Sequence, residues 1–188
     1  MSTDVMLKRI PLVIGALVIA SLLGALYFRS PFSYSDTTRT ARESGVFTVG
    51  KPAPNFDTVD FDHMPVRLSY YFGKPIILDF WAAWCVFCRD EMPVLERIHQ
   101  QYGDEIAIIG IHRTDSGESI ARGAQFAQEQ GVTYPLMQDQ SGALYKMATQ
   151  GLSVMPVAIF IDSSGIVQEI KFGPKTEDEI YHSALILQ

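Results

Sequence analysis

The stretch WAAWCVFCRDEMP, Trp81 to Pro93, holds both cysteines of this 188-residue chain. It follows Ile76-Ile77-Leu78-Asp79-Phe80, a nearly continuous apolar run that suits a strand buried on both faces. After it, Met92, Leu95, Ile98 and Tyr102 recur at helical spacing. Cys85 therefore stands where a buried strand gives way to a helix. Exposed N–H groups and the helix dipole at such an end stabilise a thiolate. Cys88 lies one turn further in, within reach of the first sulfur.

Two cysteines at this spacing admit several chemistries. A thiolate at Cys85 can attack a partner's disulfide, and Cys88 can then resolve the mixed disulfide. A zinc half-site needs two further ligands, and His63, His99, His112 and His182 are scattered without a ligand spacing. A purely structural disulfide across two residues would constrain the unfolded chain very little. Two thiols can also hold a soft metal, and Met155 could add a thioether to such a copper site.

Outward from the cysteines, the pattern predicts one α/β domain. Residues 56–72 alternate in short pieces around His63-Met64-Pro65 and read as a hairpin. Glu105 to Ile111 is a second buried strand. Glu118 to Gln130 is a helix stopped by Gly131, and Ser141 to Thr149 a shorter one. Val157 to Ile161 and Ile166 to Ile170 are strands joined by the turn Asp162-Ser163-Ser164-Gly165. Thr176, followed by three acids, caps a last helix to Leu187. The order β-α-β-α then β-β-α implies a mixed central sheet with helices on both faces.

At the N-terminus, Ile10 to Phe28 carries no charge in 19 positions. As a helix it is roughly 28 Å long, close to the ~30 Å hydrocarbon core of a bilayer. The run exceeds the ~7–15 residues of a signal-peptide core, and its small-residue site, Val18-Ile19-Ala20, falls inside it. An uncleaved transmembrane signal-anchor is expected over 10–28, after a tail over 1–9 and before a Ser/Thr/Arg-rich linker over 29–45. Lys8 and Arg9 precede the segment while Arg29, Arg39 and Arg42 follow it, so charge does not set the orientation. The net charge of −6, without a basic stripe, argues against nucleic acid as a partner.

ILDF followed by WAAWCVFC resembles the thioredoxin active site. The resemblance spans Val46 to Gln188: it includes the opening GKPAPNF (Gly50 to Phe56) and SVMP (Ser153 to Pro156) before VAIFID. With the anchor and the hairpin, the chain is most similar to the membrane-anchored thioredoxin-like reductases of bacteria, the TlpA/ResA/CcmG group. That resemblance implies a thioredoxin fold over 46–188 with an N-terminal hairpin, and a thiol-disulfide oxidoreductase on the extracytoplasmic face of the bacterial cytoplasmic membrane, its tail over 1–9 inside. It implies reduction of disulfides in partner proteins, apocytochromes c among them. It also implies re-reduction by a membrane donor of the DsbD/CcdA type, with no cofactor beyond the Cys85–Cys88 disulfide. GKPAPNF also resembles the opening of peroxiredoxins, but their PxxxTxxC pattern is missing: Trp81, Ala82, Ala83 and Trp84 precede Cys85.

The same resemblance assigns roles residue by residue. Cys85 is the attacking thiolate and Cys88 the resolving thiol. Asp79 matches the buried acid of thioredoxin that deprotonates the inner cysteine, and a buried carboxyl does exchange protons near neutral pH. Glu91 matches an acid that tunes the cysteines in ResA-like proteins, although a solvated acid early in a helix reads equally well. Pro156 matches a cis proline facing the cysteines, preceded by Met155, whose backbone meets an extended substrate. Trp84, Val86 and Phe87 form the rim around the sulfur. Val157 replaces a frequent Thr, and Phe87 a usual Pro. Val86 and Phe87 carry no charge or donor to stabilise a thiolate. A reducing pair is expected, nearer thioredoxin's ~−270 mV than DsbA's ~−120 mV, rather than an oxidase or isomerase.

Overall fold

The computed structural model describes residues 45–114 and 117–187. The expected tail, membrane segment and nearly all of the linker lie outside the described residues. Among the described residues no helix is long and apolar enough to cross a membrane.

The N-terminal hairpin forms where expected. β1 (Asp57–Val59) pairs antiparallel with β2 (Pro65–Arg67). The turn between them is held by Asp60, whose carboxylate accepts the N–H groups of Asp62 and Met64. A short 3-10 turn (Leu68–Tyr71) leads into β3 (Ile76–Trp81), whose six residues are all buried. α1 (Val86–Tyr102) follows, then β4 (Ala107–Arg113), α2 (Ile120–Glu129), β5 (Leu136–Asp139), α3 (Ala143–Thr149), β6 (Val157–Ile161), β7 (Val167–Phe172) and α4 (Glu177–Ile186).

The main sheet runs β5-β4-β3-β6-β7. β3, β4 and β5 are mutually parallel, as crossover helices require, and β6 runs against both β3 and β7. This is a thioredoxin fold with a mixed sheet flanked by helices.

Side-chain alternation on β3 decides which residue faces which layer. Ile76, Leu78 and Phe80 pack with Leu144, Tyr145 and Ala148 of α3 and with Phe47, Phe56 and Leu68 of the N-terminal region. Ile77 points to the opposite face, with Leu95 and Ile98 of α1 and Ile180 and Ala184 of α4. Asp79 and Trp81 share that parity. Asp79 is thus carried onto the α1 face of the sheet, and Trp81 into a third cluster with Cys85, Cys88, Met92 and Phe126.

Two elements differ from the sequence expectation. β5 was absent from it, because Leu136-Met137-Gln138-Asp139 has neither alternation nor β-branched residues. Its polar side chains are buried by partners that only the fold supplies: Gln138 donates to Asp60 O (2.7 Å), and Asp139 accepts the N–H of Tyr145 (2.7 Å) at the start of α3. β4 begins at Ala107 rather than Glu105, since the N–H groups of Glu105 and Ile106 still close the end of α1 on Tyr102 O (2.8 and 2.7 Å). It continues to Arg113 because β5 pairs along that stretch.

Candidate redox site

The site is built on the step from β3 to α1. Cys85 is the N-cap of α1 in extended conformation, and the Cys88 N–H points at its sulfur (3.2 Å). The two cysteines are disulfide-bonded, with Cα atoms 5.3 Å apart. They are not equivalent. Cys85 keeps a small exposure (5%) at the floor of a groove of about 320 Å³, whereas Cys88 has none.

Trp84, Val86 and Phe87, all more than half exposed, rise around Cys85, and Met155 closes the groove from the opposite loop. The Met155–Pro156 bond is cis. Its loop is held by Tyr145 of α3, whose hydroxyl donates to Val154 O (2.7 Å) and accepts the Val154 N–H (2.8 Å). Arg113 lies over the Tyr145 ring (3.9 Å) and also lines the groove. Trp81, by contrast with Trp84, is fully buried.

On the α1 side of β3, Asp79 is 1% exposed, and neither carboxylate oxygen meets a hydrogen-bond donor among the described residues. Burial, reinforced by the nearby Glu91 carboxylate and opposed by Lys175, pushes Asp79 up to about 7. Such a group loses and regains a proton at neutral pH. Glu91 is also buried, which removes the solvated reading. It forms an ion pair with Lys175 (2.9 Å) and accepts the Lys175 backbone N–H (2.7 Å). Burial pushes Glu91 above its ordinary value, against the pull of Lys175.

A second polar cluster braces the turn before Cys85. His112, in register beside Trp81 on the neighbouring strand, stacks on that indole (4.5 Å between centroids). Its Nε2 meets Glu118 (2.8 Å), and the same Glu118 oxygen accepts the Ala83 N–H (2.8 Å). Burial pushes His112 below its ordinary value, opposed by Glu118. Gly123 of α2 lies against the imidazole so closely that any Cβ there would overlap it.

The structure brings Trp84, Cys85, Val86, Phe87 and Met155 to one groove, and buries Asp79 and Glu91 near each other on the α1 face of the sheet. The sequence reading missed Lys175, Tyr145 and the His112–Glu118 pair. His112 interrupts a buried strand just as Asp79 does, and that signal was available. Nothing in GPKT (Gly173 to Thr176) distinguishes Lys175 from a surface lysine.

Among known proteins, the AhpC/TSA family matches residues 49–170. The chain belongs to that family. Within it, the thiol-disulfide oxidoreductase ResA of Geobacillus thermodenitrificans is 30% identical over 178 residues, covering 93% of this chain and 95% of the relative. The thioredoxin-like protein YneN of Bacillus subtilis is 29% identical over 143 residues, 76% and 82% of the two chains. A thioredoxin-family thiol:disulfide interchange protein from Chlorobium tepidum superposes with TM-score 0.65 at 25% identity, covering 74% of this chain and 97% of that one. This AhpC/TSA member is a ResA-type thiol-disulfide oxidoreductase with its Cys-x-x-Cys pair at Cys85 and Cys88.

Proposed function

We propose that the protein is a membrane-anchored, extracytoplasmic reductase of disulfides in partner proteins. The observation that carries this reading is the asymmetry of the pair: Cys85 opens into a groove, while Cys88 is fully buried. Cys85, as thiolate, attacks a substrate disulfide in the groove and forms a mixed disulfide. Asp79 takes the proton of Cys88. The Cys88 thiolate attacks Cys85, and the substrate leaves reduced by two electrons. Trp84, Val86, Phe87, Met155 and the cis Pro156 form the substrate rim.

The electron pair is carried by the two sulfurs, with no further cofactor. The reductive direction is supported by Val86 and Phe87, which offer no charge to stabilise the Cys85 thiolate. The uncharged run over 10–28 supports a single membrane anchor in contact with lipid, and the likeness to ResA an extracytoplasmic domain. An apocytochrome c is the substrate class that the TlpA/ResA/CcmG resemblance suggests, and a DsbD/CcdA-like membrane protein the electron donor.

Trapping tests this order of events. Full-length Cys88→Ser, reduced and mixed with a disulfide-bonded peptide, should accumulate a covalent adduct on Cys85, and Cys85→Ser should form none. Adducts on Cys88 in the Cys85→Ser variant at a comparable rate would overturn the assignment.

A further inference from the structure

Two buried carboxyls and one buried ammonium interact on the α1 face of the sheet. The Lys175 and Glu91 side chains are 4% and 3% exposed, and Asp79 is equally enclosed. Lys175 belongs to the short loop between β7 and α4, and three bonds fix it there. Gly173, at φ 77°, donates its N–H to Pro156 O (2.9 Å). The Lys175 ammonium donates to Gly173 O (3.0 Å), and its backbone N–H to Glu91 (2.7 Å). The α4 capping box of Thr176 and Glu179 anchors the far side of the loop. One lysine therefore ties the cis-proline loop to the third turn-facing residue after Cys88.

With Asp79 and Glu91 both ionised, the enclosure carries a net negative charge in a region of low dielectric, and one proton removes it. Glu91 holds the lysine through an ion pair and a backbone hydrogen bond, and Asp79 meets no donor among the described residues. The groups that interact with Asp79 are Glu91 of α1, Lys175 of the β7–α4 loop and Tyr134 before β5, with Asp90 acting on Glu91 from outside. Resting on the reductase reading above, we propose that Lys175 is a positioning residue: it fixes the negative charge on Glu91 and so leaves Asp79 as the one carboxyl that exchanges a proton with Cys88. In the resolving step the Cys88 S–H proton moves to Asp79. The Cys88 thiolate then forms the Cys85–Cys88 bond as the bond from Cys85 to the substrate sulfur breaks. The substrate leaves as a thiolate with the two electrons the pair has lost, and takes its proton from solvent. Reduction of the pair by a donor dithiol returns the Asp79 proton to Cys88.

The test is a carboxyl-carbon NMR titration of Asp79 and Glu91 in the full-length protein, alongside the pH profile of peptide-disulfide reduction. Wild type should show an Asp79 inflection near neutral pH and a Glu91 inflection below it. In Lys175→Met the Glu91 inflection should rise by about one pH unit or more, and the rate profile should gain a second inflection near neutrality. Lys175→Arg should restore the wild-type pattern. Should Lys175→Met not fold, the double variant Lys175→Met/Glu91→Gln removes both charges. Their opposing effects on Asp79 cancel, so its inflection should stay near neutrality. A Glu91 inflection unmoved in Lys175→Met, or an Asp79 inflection in the ordinary carboxylate range in the double variant, would overturn the proposal. If Glu91 moves but wild type reduces no disulfide at any pH, the reductase reading falls and the charge assignment stands. If turnover is normal and Glu91 does not move, only the role of Lys175 falls.

Discussion

Two buried polar clusters flank the β3–α1 turn, and they are built to opposite ends. On one side His112 Nε2 and the Ala83 N–H both meet a single Glu118 oxygen, while His112 Nδ1 has no partner among the described residues. On the other, Glu91 and Lys175 pair, and Asp79 has no donor at either oxygen among the described residues. A buried carboxylate that pairs with its neighbours holds them in place, and one without a donor costs stability. The first cluster holds the backbone that presents Cys85, and the second holds a carboxyl that exchanges its proton near neutral pH. The contrast extends to pH. Asp79 has a raised value in the fold, so the native state holds more protons than the unfolded one between pH 3.8 and about 7. Its contribution is present below that window and is lost as pH rises through it. His112 has a lowered value, so the unfolded state holds more protons below pH 6.5. Its contribution is present above 6.5 and is lost as pH falls.

The largest effect should come from abolishing the unsatisfied group. Asp79→Asn should slow turnover at neutral pH by about 10²-fold and remove the neutral inflection of the rate profile. The same variant should be more stable than wild type above pH 7, on the order of 2–4 kcal/mol. Denaturant titrations at pH 5 and 8 would show a clearly larger gain at the higher value. Next in size, Gly123→Ala forces the His112 ring from its place. It should destabilise the fold by about 1–3 kcal/mol, while the Asp79 inflection stays where it was. Glu118→Gln keeps an acceptor for the Ala83 N–H but removes the charge facing His112. A loss of about 1–2 kcal/mol at pH 7 is expected in thermal or denaturant unfolding. The smallest effect on stability should follow Trp84→Ala, within about 0.5 kcal/mol of wild type because the indole is exposed. Its consequence should instead be a raised KM for peptide disulfides. Equal pH dependence of stability in Asp79→Asn and wild type would remove the distinction between the two clusters.

Much of this arrangement was legible in the chain. An apolar run broken by one aspartate and a Cys-x-x-Cys at its end locate β3, the pair and Asp79, because local periodicity and short spacing carry that information, whereas Pro156 stands out only through the resemblance to the thioredoxin site. The ambiguity of Glu91 was real at that level. Its ordinary surface composition gives way to an ion pair with a lysine 84 residues further on, and no local pattern encodes a partner at that distance. β5 was hidden for the same reason: Gln138 and Asp139 are tolerable in a buried edge strand only once Asp60 and the start of α3 supply their partners. The His112–Glu118 pair was half legible. A histidine in a buried strand is a visible exception, but its bond to the loop six residues on depends on the β4–α2 connection.

The reduction potential of the Cys85–Cys88 pair tests the central claim most directly. Full-length protein would be equilibrated with thiol–disulfide buffers and the fraction oxidised followed by thiol alkylation. A value near thioredoxin's ~−270 mV is expected, low enough to drive electrons onto partner disulfides. A value near DsbA's ~−120 mV would make the protein a disulfide donor and contradict the reductase reading.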